Sequence, residues 1–246
     1  MARLIVDSVD SGIWNMSVDE ALLASAASDS FPTTLRFYQW DKATLSLGYF
    51  QQLGDRAQHP ASGPCCLVRR TTGGGAILHH HELTYSLTTS VKNRLSRAAE
   101  DFYFLVHEAL VATLAKRNIH CQLHEPGGSP SGSSQPFLCF ERRSPGDILL
   151  GQTKIAGSAQ RRHKGCLLQH GSLLLATSSY APELTGLETL AGAQMMPNDL
   201  VADWTFAIEK SLGTRFESGQ LTNEEIGGAK SFVRAKFGLE KWTARR

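Results

Sequence analysis

Residues 69–87, RRTTGGGAILHHHELTYSL, decide how the chain is read. CCLVRR (65–70), GGAILH (74–79) and LTYSLTTS (83–90) each carry the apolar or alternating pattern of a strand, so the glycines and histidines fall where sheet elements join. A phosphate-binding loop of the Walker type needs Gly-Lys-Ser/Thr opening a helix, but Ala76-Ile77-Leu78 follows Gly75, and G-x-G-x-x-G fails as well. The three glycines permit either close approach of a ligand to bare backbone or a bend in the sheet. Three neighbouring histidines cannot converge on one ion from a strand, and HELTY is not H-E-x-x-H, so no metal site is expected. His79, directly after the apolar run, is assigned to a cavity wall, and the other two histidines to a polar loop. Arg69 and Arg70 are adjacent on a strand, so one is expected to face the site and the other solvent or a partner.

Outward from this stretch, Ser17-Val18-Asp19-Glu20 has the S-x-x-E form of a capping box and predicts a first helix ending near 28–32. TLRFYQW (34–40) and ATLSLGYF (43–50) predict paired strands. Phe102, Leu105, Val106, Ala109, Leu110 and Leu114 form one apolar stripe of a helix between 96 and 118. IHCQLH (119–124) alternates like a strand, and GGSPSGSSQP (127–136) predicts a mobile loop. DILL (147–150), a turn at 151–152 and TKIAGSAQ (153–160) predict a hairpin, followed by a strand in GCLLQHGSLLL (165–175). Val201, Trp204, Ile208 and Leu212 share a helix closed by Gly213, and Thr222-Asn223-Glu224-Glu225 opens another. Strands close enough for hairpins, without a regular βαβ rhythm, indicate an α+β fold.

Composition narrows the function classes. The 246 residues carry 25 Lys+Arg against 23 Asp+Glu, a formal charge of +2 that gives no global attraction to nucleic acid or anionic membrane. No apolar run approaches the roughly 18 residues of a membrane span. Five cysteines, odd in number and without CxxC spacing, indicate reduced thiols in a cytoplasmic protein. Cys65, Cys66, Cys121 and Cys166 lie in strand-like apolar runs and read as packing residues. Cys139, in PFLCFE, reads either as a small hydrophobe between aromatics or as a nucleophile. Lys154 heads an apolar, small-residue strand from which its side chain could enter a cleft. A cysteine and a lysine together suggest acyl transfer through a thioester, with the ammonium holding a carbonyl oxygen in the transition state.

The string RRTTGGGAILHHHELTYS is similar to the signature R-R-x-T-G-G-x-A-x-x-H-x-x-E-L-T-Y-S of the lipoate-protein ligase and octanoyltransferase superfamily, whose fold is shared with biotin ligases. LRFYQWDKATLSLGYFQ (35–51) and KIAGSAQRRHKGCLLQHGSLLL (154–175) resemble further blocks of that family, and similarity runs from NMSVDEALL to the tail. The resemblance implies a single biotin/lipoate protein ligase-like catalytic domain over 1–246. It would have a mixed, largely antiparallel sheet with packed helices, and a helical C-terminal segment about 198–246. LCFE closely resembles the C-F block in which LipM-type octanoyltransferases carry their nucleophile, which implies Cys139 as nucleophile with Lys154 assisting. It further implies substrate binding by Arg70, Gly73, Gly74, Gly75, His79, Gly157, Ser158, Ala159 and His170, with the glycines lining a narrow acyl tunnel and His79 and Arg70 at its wall.

The implied donor is octanoyl-acyl carrier protein. The implied acceptor is a lysine of a lipoyl domain or glycine-cleavage H protein. No cofactor is required, and neither nucleic acid nor membrane is a partner. Gly75 stands where many acyltransferases of this type have Arg, and a third glycine is common in ligases. The alternatives are an ATP-dependent lipoate ligase, with Lys154 on the adenylate phosphate, an amidotransferase drawing on modified H protein, and an acyl-binding module without turnover. RRHK (161–164) reads as a dock for acidic carriers or as a solvated face.

Overall fold

The computed structural model describes residues 2–28, 30–91, 98–125, 135–192 and 194–246. The strands in chain order are β1 (Ala2–Val6), β2 (Thr33–Tyr38), β3 (Thr44–Leu47), β4 (Cys66–Arg69), β5 (Ile77–His79), β6 (Glu82–Ser90), β7 (Gln122–Leu123), β8 (Ile148–Leu150), β9 (Thr153–His163), β10 (Cys166–Leu174) and β11 (Phe216–Ser218). The helices are α1 (Gly12–Ser25), α2 (Ala98–Ala115), α3 (Leu187–Ala191), α4 (Pro197–Leu212), α5 (Asn223–Phe232) and α6 (Glu240–Thr243). An eight-stranded sheet runs in the order β11-β1-β2-β6-β10-β9-β8-β7, and a three-stranded sheet in the order β4-β3-β5. In the large sheet β1 pairs in parallel with β11 and β2, and the remaining neighbours are antiparallel, so the sheet is mixed and largely antiparallel.

Alternation along the central strands sorts side chains between two faces. Leu35 and Phe37 of β2, Leu83, Tyr85 and Leu87 of β6, and Leu173 of β10 pack beneath Val106, Leu110 and Leu114 of α2 and Leu200, Trp204 and Ile208 of α4. The opposite face is polar yet equally buried. Asp19 Oδ1 of α1 accepts hydrogen bonds from Arg36 (3.0 Å) and Ser86 (2.8 Å), and Oδ2 accepts from Tyr38 (2.9 Å) and lies 3.2 Å from His170 Nδ1. Burial pushes the Asp19 carboxyl upward, but the His170 hydrogen bond and the Arg36 charge outweigh it and hold the group below its ordinary value. An ion pair this deep stays only because each polar atom is matched.

The structure corrects several expectations. Helix α1 starts at Gly12, with Ser11 as its N-cap, and not at Ser17. Ser17 lies inside the helix, its hydroxyl donating to Ile13 O at 2.7 Å, and Glu20 is taken by Lys236 and Thr71. The helix runs on N-terminally because Met16 buries against Tyr38, Trp40 and Phe237, and packing outweighs the local cap. Strands β2 and β3 do not pair. Phe37 belongs to the large core, whereas Leu45 and Leu47 belong to a second core with Leu78 and Leu138, so the chain changes sheet between them. The strand expected over 119–124 is confined to β7. Helix α2 is described from Ala98, and residues 127–134 of the expected mobile loop lie outside the described residues. Cys66 is exposed rather than packed. The β8–β9 hairpin, the Gly213 cap and the Thr222 capping box match their expectations. No described helix is long and apolar enough to cross a membrane.

Trp204 anchors the apolar face. Fully buried, its ring centroid lies 5.3 Å from Phe37 and 5.0 Å from Tyr85, and its indole donates to Val106 O at 3.1 Å. Trp204→Ala is expected to destabilise the fold by about 3–5 kcal/mol, measured by urea unfolding.

Candidate active site

A pair of backbone hydrogen bonds places the thiol. Ala76 N–H donates to Phe137 O (2.9 Å) and Cys139 N–H donates to Ala76 O (2.7 Å), forming a parallel bridge between the end of the glycine run and the segment that carries Cys139. A Cβ on Gly75 would stand 2.9 Å from both Cys139 N and Phe137 O, so glycine at 75 is what lets the two backbones meet. The glycine that departs from the acyltransferase pattern is thus required by this chain's own cysteine segment. Gly74 has φ +93° and lies beside the thiol, where a Cβ would stand 3.8 Å from Cys139 Sγ, while its carbonyl packs against Gly48.

Lys154 arrives from the other side. Between the Leu149–Lys154 and Ile148–Ala156 pairs, β9 holds one extra residue, Ile155. Such a bulge breaks strict alternation and re-aims the neighbouring side chain. Ile155 packs into the large core, and Lys154 Nζ stands 4.0 Å from Cys139 Sγ and 3.3 Å from Cys139 O. Asp147 anchors the ammonium at 2.7 Å, both side chains being almost fully buried at 3% and 2% exposure. Asp147 is held in turn by Ser144 N–H (2.7 Å) and Tyr103 OH (3.3 Å). The ammonium also lies 5.4 Å from the centroid of the Phe140 ring.

Arg70 fixes the glycine run from beneath. Its guanidinium donates to Ser46 O (2.8 Å), Gly73 O (2.9 Å) and Gly75 O (2.6 Å). Burial brings it down to about 10, with the neighbouring Cys139 acting in the opposite direction, so it remains a cation at neutral pH. A second relay ends at Ser158. His107 Nδ1 faces Gly146 O at 2.6 Å and must donate to it, which leaves Nε2 to accept from Ser158 Oγ at 2.5 Å. Tyr85 OH lies 2.6 Å from the same Oγ. Burial drives His107 down to about 4, in keeping with a neutral ring.

These groups enclose a cavity of about 260 Å³ lined by Arg70, Gly73, Gly74, Cys139, Lys154 and Ser158, among others including Asp147, Gly157 and Ala159. Cys139 is half-buried there. Three of the expected site residues lie outside this lining. Gly75 sits behind it, against the cysteine segment. His79 is not at the cavity wall: it is buried, stacked on Trp40 at 3.8 Å, its Nδ1 2.6 Å from Glu82 and its Nε2 2.8 Å from Ser46. The cause is Glu82, a buried carboxylate that draws the imidazole inward. His170 is likewise turned to Asp19 and Thr72 on the polar face of the sheet. Neither arginine faces solvent: Arg69 is buried too, donating to Gly48 O, Gln51 O and Thr243 O. Of RRHK, Arg161 pairs with Glu20 at 3.4 Å, whereas Arg162, His163 and Lys164 are exposed. Asp147, His107 and Tyr103 were missed by sequence reasoning; each is an ordinary residue of a strand end or a helix stripe. Among the described residues no three His, Cys, Asp or Glu side chains converge as a metal site.

The fold is that of the lipoate-protein ligases: a bipartite lipoate protein ligase from Thermoplasma acidophilum superposes with a TM-score of 0.78 at 20% identity, covering 99% of this chain and 96% of that one. Residues 11–191 match the family model described as the lipoyl protein ligase A/B catalytic domain, and the chain belongs to this family. Octanoyltransferase LipM of Kyrpidia tusciae is 31% identical over 271 residues, covering 99% of this chain and 98% of the relative. Octanoyltransferase LipM of Oceanobacillus iheyensis is 35% identical over 231 residues, covering 92% and 78% respectively.

Breaking the buried pair from one side, by Asp147→Asn or Lys154→Met, is expected to destabilise by about 3–5 kcal/mol, and the double variant by less than the sum of the singles, read by urea denaturation. His107 gives a pH signature. Its folded value of about 4 lies below the ordinary 6.5, so the unfolded chain binds the extra proton between those limits. Its contribution is complete above pH 6.5 and is lost as pH falls towards 4, on the order of 3 kcal/mol in all. His107→Gln flattens the stability–pH slope in that window; the slope is not abolished, because burial also lowers His79, against the opposing pull of Glu82.

Proposed function

We propose that the chain, acting as one catalytic domain, is an octanoyltransferase that moves an octanoyl group from acyl carrier protein to the substrate lysine of a lipoyl domain or glycine-cleavage H protein. The observation that carries this reading is the 4.0 Å approach of Cys139 Sγ and Lys154 Nζ at the wall of one cavity. The octanoyl group comes from the names of the Kyrpidia and Oceanobacillus relatives. A lipoyl-domain acceptor accords with the Thermoplasma ligase, which is described together with its E2 lipoyl domain as one lipoylation system.

The Cys139 thiolate attacks the carbonyl carbon of the donor thioester, forming a new C–S bond and expelling the carrier thiolate. Lys154, fixed by Asp147, donates to the oxyanion of the tetrahedral intermediate. The acceptor lysine, as the free amine, then attacks octanoyl-Cys139. A C–N bond forms, the C–S bond breaks, the amine proton leaves to solvent and the thiolate is restored. The incoming thioester supplies the driving force, so neither ATP nor a metal is required. The free thiol the reaction needs suits a reducing, cytoplasmic compartment.

Incubation with octanoyl-acyl carrier protein in the absence of ATP is expected to add one octanoyl group to the protein by intact mass, with peptide mapping locating it on Cys139. Cys139→Ala, with its circular dichroism unchanged, loses the adduct and lowers transfer on the order of 10³-fold or more. Lys154→Met lowers kcat by about 10²-fold. Full transfer activity in Cys139→Ala, or lipoate-dependent release of pyrophosphate from ATP, would contradict the reading.

A further inference from the structure

The rim of the Cys139 cavity carries a cluster of cations that the chemistry above does not use. Gly73 lines the cavity, and the ring of Phe50, itself not part of that lining, comes within 3.9 Å of where a Gly73 Cβ would stand. Phe50 is 65% exposed, one of the large apolar side chains left in solvent. Beside it the Arg246 guanidinium lies 5.4 Å from the Phe50 centroid and 5.8 Å from that of Tyr49, and Arg245 stacks 4.3 Å from Tyr49 and 4.8 Å from Trp242. Arg245 directs one N–H to the Tyr49 hydroxyl, and the guanidiniums have five N–H donors each to offer.

The tail that carries these arginines is held in place. Leu53 N–H donates to Arg246 O (2.8 Å), Trp242 Nε1 to Arg69 O (2.8 Å), and Arg69 Nε to Thr243 O (2.9 Å). Charge accounting leaves the cluster unbalanced. Glu20 is shared by Lys236 at 2.7 Å and Arg161 at 3.4 Å, and among the described residues no Asp or Glu side chain pairs with Arg69, Arg245 or Arg246. Beneath the tail, Arg69 Nη2 is buried with no hydrogen-bond partner. The Arg245 hydrogen bond and the positive charge of Arg245, Arg246 and Arg161 hold the Tyr49 hydroxyl below its ordinary value, against a smaller opposing effect of burial. Like charges fixed side by side repel, and a bound anion offsets that repulsion with charge-assisted hydrogen bonds.

We propose that Arg245 and Arg246, with the exposed Phe50 ring, form an anion site at the cavity rim that takes the phosphodiester of the donor's thioester-bearing pantetheine arm. The proposal rests on the acyl-transfer reading. In it the apolar stretch of the arm crosses Phe50, the thioester reaches Cys139 past Gly73 and Gly74, and the phosphate stays at the two arginines.

The test compares octanoylation of Cys139 by two small donors, octanoyl-4′-phosphopantetheine and octanoyl-pantetheine, in the full chain. Wild type is expected to favour the phosphorylated donor by about tenfold or more in kcat/KM. In the Arg245→Gln/Arg246→Gln variant that ratio falls towards one, while the lysine pair Arg245→Lys/Arg246→Lys keeps part of it. Equal use of the two donors by wild type overturns the proposal and leaves the acyl-transfer reading standing. So does an unchanged ratio in the glutamine variant, or slowing confined to octanoyl-acyl carrier protein, which would assign the anion to carboxylates of the carrier. No Cys139 adduct from either donor or from octanoyl-acyl carrier protein overturns both.

Discussion

Two backbone hydrogen bonds, from Ala76 to Phe137 and from Cys139 back to Ala76, hold the site together. They join segments more than sixty positions apart in sequence and fix the thiol against the glycine run before any side chain is considered. Only a residue without a Cβ can occupy position 75 in that seam. The glycine run therefore serves the cysteine first. Whatever enters the cavity meets a thiol whose backbone is already tied by this bridge to the residue that precedes β5.

From that seam the geometry is transmitted through buried polar groups. Arg70 ties the carbonyls of Gly73 and Gly75 to Ser46, Ser46 to His79, His79 to Glu82, and Glu82 to Thr84 and Ser172 on the central strands. Asp147 and Lys154 form the opposing wall, aimed by the bulge at Ile155. Most of these polar atoms have a partner, and their burial makes each loss expensive, so the arrangement is stiff where reacting atoms must be aligned. Glu82 Oε2 and Arg70 Nε are exceptions, buried without a hydrogen-bond partner.

How far this was legible in the sequence follows from where each signal originates. The hairpin from Asp147 to Gln160 was readable because two-residue turns and alternation are local properties, and Cys139 and Lys154 were readable because their neighbours resemble a known family. The start of α1 was not, since Ser17 and Glu20 satisfy the spacing of a cap while Met16 is claimed by a core formed with residues as distant as Phe237. The polar face of the large sheet was equally hidden. Glu82, Thr84 and Ser86 alternate with Leu83, Tyr85 and Leu87 as in a strand with one wet face, and only Asp19, Arg36 and His170, brought by other elements, turn that face into an interior. The same reason removed His79 from the cavity wall: its partner Glu82 lies three residues on, but the burial that makes the pair compulsory is tertiary.

The proposed covalent role of Cys139 is tested most directly by the structure of crystals grown after reaction with an octanoyl thioester and no acceptor. Continuous density is expected from Cys139 Sγ to an acyl carbonyl whose oxygen faces Lys154 Nζ, with the alkyl chain in the cavity between Gly74 and Ser158. A free thiol at 139 with the acyl group bonded elsewhere, whether on Lys154 or on Ser158, would contradict it.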